Sequence, residues 1–85
     1  MNEKLRQEKL KMRKGNLRQL QEDLKVIMVK KGAAAQEGDL SENAAYTMAI
    51  EDADTTRVRI EEVKKIIREL ESRVESQESR QKGKV

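Results

Sequence analysis

YTMAIEDADTTRVRIEEVKKIIRELESRV, Tyr46–Val74, carries the fold in its spacing. Tyr46, Ala49, Ala53, Thr56, Ile60, Val63, Ile67, Leu70 and Val74 follow one another in alternating steps of three and four. Residues so spaced line one narrow stripe of a helix, the a/d seam by which one helix of a coiled coil meets another. Small side chains lie near Tyr46 and large aliphatics run from Ile60 onward, with Glu, Lys and Arg filling the other positions. Upstream, Leu10, Leu17, Leu20, Leu24 and Ile27 fit the same stripe, while Arg13 and Lys31 fall on seam positions. Gly15 weakens this first helix by about 1 kcal/mol relative to alanine.

Between the halves stand Gly32 and Gly38, and Gly38-Asp39 is a turn signal. Two heptad helices joined by a short loop fold back on each other. The spacing therefore predicts an all-α, antiparallel two-helix coiled-coil hairpin with an acidic tip loop. A helix is expected over about residues 3–31, a tip loop over 32–41 and a second helix over 42–75, with 76–85 as a polar, frayed tail. Pairing Ile27 with Ile60 opposes Leu24 to Val63, Leu20 to Ile67 and Leu17 to Leu70, and puts the tip close to Glu42.

The composition agrees. Of 85 residues, 41% are charged and 35% hydrophobic, with a single aromatic and no proline, the profile of a coiled coil or long helix. A chain this short has a thin core. It holds no cysteine, so neither a disulfide framework nor thiolate chemistry is available. It holds no histidine, which removes the commonest general base and the commonest transition-metal ligand. The amino terminus is charged from Glu3 onward, unlike a signal peptide, and no apolar run approaches the roughly 20 residues that span a bilayer. A soluble, cytoplasmic protein without a membrane partner is expected.

Charge falls in three blocks. Residues 1–31 carry a net +6, residues 32–56 a net −6 without one Lys or Arg, and residues 57–85 a net +3. Folding back turns the acidic middle of the sequence into one physical end of a rod with a basic body. Such a body suits an acidic partner, nucleic acid or protein, although without aromatics for stacking, specific single-strand recognition is weak. Met12 and Met28 read as gap-fillers.

At the tip, Asp39-Leu40-Ser41-Glu42 matches a capping box, with Asp39 as N-cap and Glu42 three residues on. The pair also admits metal chemistry, since carboxylates at i and i+3 are neighbours on a helix. Magnesium takes six oxygen ligands and is held by one or two carboxylates with waters and phosphates, so two exposed acids complete a site only with a partner's ligands. That favours an accessory over a self-contained enzyme. Tyr46 closes the top of the seam, its ring on Ala49 and Leu40, or touches a partner.

Gly38–Tyr46, GDLSENAAY, resembles the tip motif of the bacterial transcript-cleavage factors, the GreA/GreB family, written GDLSENAEY, at eight of nine positions. Downstream, Arg59-Ile60-Glu61 with EVKKIIREL is similar to that family's second helix, and LRQLQEDLK, Leu17–Lys25, resembles its first more loosely. The resemblance is to the family's N-terminal coiled-coil domain and covers roughly Leu17 to Val74. It implies a finger that enters the secondary channel of bacterial RNA polymerase and stimulates hydrolysis of the backtracked RNA 3′ end in the polymerase active site. By motif position, Asp39 and Glu42 would be the metal-directed acids, acting on Mg²⁺ supplied by the polymerase, with none bound by the isolated chain. Leu40, Ser41, Asn43 and Tyr46 would be partner-contacting tip residues, and no small-molecule substrate is implied.

The sequence departs from the family pattern at three points. Ala45 stands where glutamate is usual. The chain ends where a linker to a carboxy-terminal FKBP-like anchor domain would begin, which makes it a short homologue or an excised domain. Gly15 is present, and the family's proline-containing segment is not. Two alternatives accompany the cleavage factor: a non-cleaving channel regulator that competes with full-length factors, and a purely structural coiled coil.

Overall fold

In the computed structural model, which describes the backbone of residues 2–83 and the side chains of residues 2–72, the chain is a hairpin of two long helices. Helix α1 spans Glu3–Ala35 and helix α2 spans Ala44–Gly83, joined by a short tip that contains a one-turn 3-10 helix, Leu40–Glu42. The described chain measures 67 × 23 × 13 Å, the proportions of a rod. The all-α hairpin expected from the heptad stripe is the architecture found.

Helix α1 starts where Asn2 caps it. The Asn2 side chain accepts from the Leu5 amide at 2.7 Å, satisfying one of the free donors of the first turn. Glu3 follows at the positive end of the helix dipole, accepting from the Arg6 guanidinium and, at 2.9 Å, from the Gln7 carboxamide. Arg6 also donates to the Leu70 carbonyl of α2 at 3.3 Å and so ties the base of the hairpin together. The Arg6 guanidinium, with the Gln7 amide, holds the Glu3 carboxyl at about 2, well below the usual carboxylate range. A depressed folded pKa stabilises above the unfolded value, and that contribution is lost as pH falls through the folded one. Carboxyl NMR of the folded hairpin is therefore expected to show Glu3 titrating at about 2, with the Arg6–Glu3 contact weakening as pH falls through that value. Titration of Glu3 in the usual carboxylate range would contradict this.

The core runs along the predicted seam. Leu10, Val63, Ile67 and Leu70 form one buried cluster, with Leu17, Leu20 and Ile66 packed against it. Toward the tip the seam narrows to alanines: Ala34, Ala49 and Ala53 are buried, Ala53 to 1% exposure. Every seam position from Ala49 to Leu70 is buried except Thr56, which is half-buried.

Three details differ from expectation. Helix α1 runs through Gly32 and ends at Ala35, not Lys31. Gly32 faces open space, so its penalty of about 1 kcal/mol is offset by the good helix formers Ala33–Ala35 and by burial of Ala34. Helix α2 begins at Ala44 and its backbone is helical through Gly83, where a frayed tail was expected from residue 76; residues 84–85 lie outside the described chain.

The register is also displaced by about one heptad. Leu10, not only Leu17, packs with Leu70, and Leu20 shares a surface hollow with Val63 and Arg59, not with Ile67. Sliding one helix by seven residues returns each seam residue to a seam position, so the stripe alone permits either register. The short connection decides between them and centres the tip on Gly38-Asp39.

Candidate functional site

The tip is built by three local devices. Helix α1 is closed at its C-cap, Gln36, where the Gln36 and Glu37 amides bond back to the carbonyls of Ala33 and Ala34. Gly38 then turns the chain with φ +128°, a region open to glycine and closed to most side chains. Finally, Asp39 caps the 3-10 turn. Its Oδ1 accepts from the Ser41 amide at 3.0 Å and from the Ser41 hydroxyl at 2.8 Å.

These two bonds draw the Asp39 carboxyl below the usual carboxylate range, the Ser41 hydroxyl contributing most and the Ser41 amide next. The group therefore stays ionised through the neutral range. Only Oδ1 is engaged, and Oδ2 makes no hydrogen bond among the described residues. Glu42 closes the same turn, its amide bonding to the Asp39 carbonyl at 3.2 Å, and its side chain is exposed without a hydrogen-bond partner among those residues. Two carboxylates thus stand on one turn at the end of the rod, with Glu37 flanking them at the end of α1.

The capping box is corrected in part. Asp39 does cap, but it caps the one-turn 3-10 helix. The cap of α2 is Asn43, in extended conformation, whose Oδ1 accepts from the Tyr46 amide at 3.0 Å while its carbonyl accepts the first helical bond, from Thr47, at 3.1 Å. D-x-x-E fits the sequence template and N-x-x-Y does not, which is why Asn43 escapes notice as a cap. Its other end donates from Nδ2 to the Ala34 carbonyl at 2.7 Å, across the hairpin.

The remaining expected tip residues fall as follows. Leu40 and Ser41 are exposed on the 3-10 turn. Tyr46 is half-buried in the first turn of α2, and the Lys31 ammonium lies 6.0 Å from its ring centroid. Lys31 thus answers its own misfit: a cation on a seam position finds the face of the only aromatic ring, a contact worth about 0.5–1 kcal/mol where partly exposed. The sequence signalled Lys31 only as a break in the apolar stripe.

As donors, the tip acids are hard oxygens, the chemistry magnesium prefers. No group of three or more potential ligand side chains gathers among the described residues. No described helix is long and apolar enough to cross a membrane.

Comparison with known proteins agrees with this geometry. The family model described as transcription elongation factor, N-terminal, GreA/GreB, matches residues 4–75, which takes in α1, the whole tip and the buried seam of α2. No curated protein and no solved structure matches the chain. With most of its length covered by that match, the chain belongs to the GreA/GreB family of transcription elongation factors, in the part that forms their N-terminal domain.

Proposed function

We propose that this hairpin enters the secondary channel of bacterial RNA polymerase tip first and stimulates cleavage of backtracked RNA by the polymerase active site. Membership in a transcription elongation factor family supports work at a transcribing polymerase. The observation that carries the finer reading is the tip itself: two ionisable carboxylates, Asp39 and Glu42, held on a single 3-10 turn at the end of a rod 67 Å long.

The chain's own residues would do the following. Asp39 offers Oδ2 outward while Ser41 holds Oδ1, so the carboxylate is oriented before it meets a partner. Glu42 offers a second carboxylate one turn away. Together they would hold a magnesium ion whose other ligands come from the polymerase and the RNA. Magnesium bound there supplies Lewis-acid polarisation of the phosphoryl oxygen and neutralises developing charge. The basic body faces the nucleic acid and the acidic walls of the enzyme. The chain is an accessory in this scheme, and the bond is broken in the polymerase.

The test is RNA 3′ cleavage in stalled, backtracked complexes at fixed Mg²⁺, comparing wild type with the double variant Asp39→Asn/Glu42→Gln. Wild type is expected to accelerate cleavage and the double variant to leave it at the intrinsic rate while still displacing wild type from the complex. Equal stimulation by both proteins would sink the reading. Displacement without stimulation by wild type would favour the competitor.

A further inference from the structure

We infer that Asn43 is the positioning residue of the tip, a clamp that faces inward and sets where Asp39 and Glu42 stand. The inference builds on the proposed function but is carried by bonds that exist without any partner. Four polar groups of Asn43 are engaged within the hairpin. Its Nδ2 donates to the Ala34 carbonyl at 2.7 Å, and its Oδ1 accepts from the Tyr46 amide at 3.0 Å. Its amide donates to the Leu40 carbonyl at 3.4 Å, and its carbonyl accepts from the Thr47 amide at 3.1 Å. One residue thereby joins the last turn of α1, the 3-10 turn that bears both acids, and the first turn of α2.

The cross-hairpin bond is the informative one. Ala34 sits in the last turn of α1, where carbonyls lack helical partners. Its oxygen also accepts from the Glu37 amide at 3.1 Å. The tether therefore completes the end of α1 and, from the same side chain, the start of α2. Residues 36–42 are left as a short bridge between two fixed points. Within that bridge only the Asp39–Ser41 contacts and the backbone bond from Glu42 to Asp39 act. Without the tether, the bridge would be held to α1 only at its start, through the Gln36 and Glu37 amides, and its far end, which bears the acids, would lose its side-chain tie to the rod. Carboxylates that share one ion with a partner's ligands must arrive within a fraction of an ångström of the productive place, and a misplacement near 1 Å can cost about 100-fold in rate.

Serine separates the two roles of Asn43. It is a good N-cap, so Asn43→Ser keeps the start of α2, but it is too short to donate to Ala34 as well. Asn43→Asp likewise keeps the cap and turns an acceptor toward the Ala34 carbonyl. Ile60→Val serves as the control, since it loosens the buried seam without touching the tip.

Two measurements decide the matter. The first is backbone ¹⁵N relaxation of Ser41 and Glu42 in the free protein. Wild type and Ile60→Val are expected to give helix-like heteronuclear NOE values there, and Asn43→Ser and Asn43→Asp values of a loose loop. The second is cleavage titrated with each protein. Both Asn43 variants are expected to lower the maximal cleavage rate about tenfold or more at an unchanged half-maximal concentration, whereas Ile60→Val leaves the maximum in place. Unchanged tip relaxation in Asn43→Ser overturns the clamp, as does a maximum that falls no further than in Ile60→Val. If wild type stimulates no cleavage, the functional reading fails by itself, and relaxation alone upholds or overturns the clamp.

Discussion

Replacing Ile67 with alanine is expected to remove most of the hairpin's cooperative stability. Ile67 is buried at the centre of the only cluster of large side chains among the described residues, between Val63 and Leu70 and against Leu10. Truncating a buried isoleucine costs about 2–5 kcal/mol, through lost transfer energy and the cavity left behind. A chain of this size has few such residues, and cores of small domains rarely supply more than about 3–5 kcal/mol. Nearer the tip the seam is alanine and cannot compensate. At about 4–8 °C per kcal/mol, the far-UV circular dichroism midpoint should fall by roughly 8–40 °C, or the transition should lose its sigmoid shape. Val58→Ala, on the exposed face of α2, should shift it by no more than about 0.5 kcal/mol. An Ile67→Ala midpoint equal to wild type would mean that the helices are held by something other than this cluster.

The second large effect belongs to Asp39→Asn, and it should be almost invisible to stability. Asparagine keeps an oxygen where Asp39 Oδ1 accepts from the Ser41 amide, so the 3-10 turn remains capped. What disappears is the charge that the Ser41 hydroxyl and amide hold in place. Under the proposed function, single-turnover cleavage in backtracked complexes should fall about 100-fold or more, the scale seen when one preorganised electrostatic group is removed from a reacting centre. The melting midpoint should move by less than about 1 kcal/mol equivalent, within the cost of weakening a cap. The reverse outcome, a large loss of stability with cleavage intact, would leave Asp39 as a cap and nothing more.

The parts of the hairpin that the sequence shows plainly are those with a period. Ala49 to Leu70 alternates three and four without a break, and each of its large aliphatics is buried. Gly38 announces the turn because its positive φ excludes most other residues. What periodicity conceals is register, since a slide of seven leaves the seam intact; the short connection chooses, and the Asn43–Ala34 and Arg6–Leu70 bonds accompany that choice. The end of α1 is hidden for a different reason. Gly32 looks like a stop, yet three alanines and one buried methyl group carry the helix past it. The acids of the tip are legible from GDLSENAAY, but the division of labour there is not. Asp39 and Asn43 are both cap-forming residues four apart, and which helix each one caps depends on where the chain turns.

The separation of charge along the rod has a mechanical consequence. With every cation excluded from residues 32–56 and the positive charge concentrated in residues 1–31 and 57–85, the molecule is an elongated electric needle, negative at its point. A field exerts torque on such a body as well as a net force, so the potential of a partner sets its orientation as well as its approach. That alignment acts over a Debye length, about 10 Å in 0.1 M salt and about 3 Å in 1 M. Raising salt should therefore weaken the orienting torque as well as the net attraction to a charged partner, and a needle of uniform charge would lose only the second.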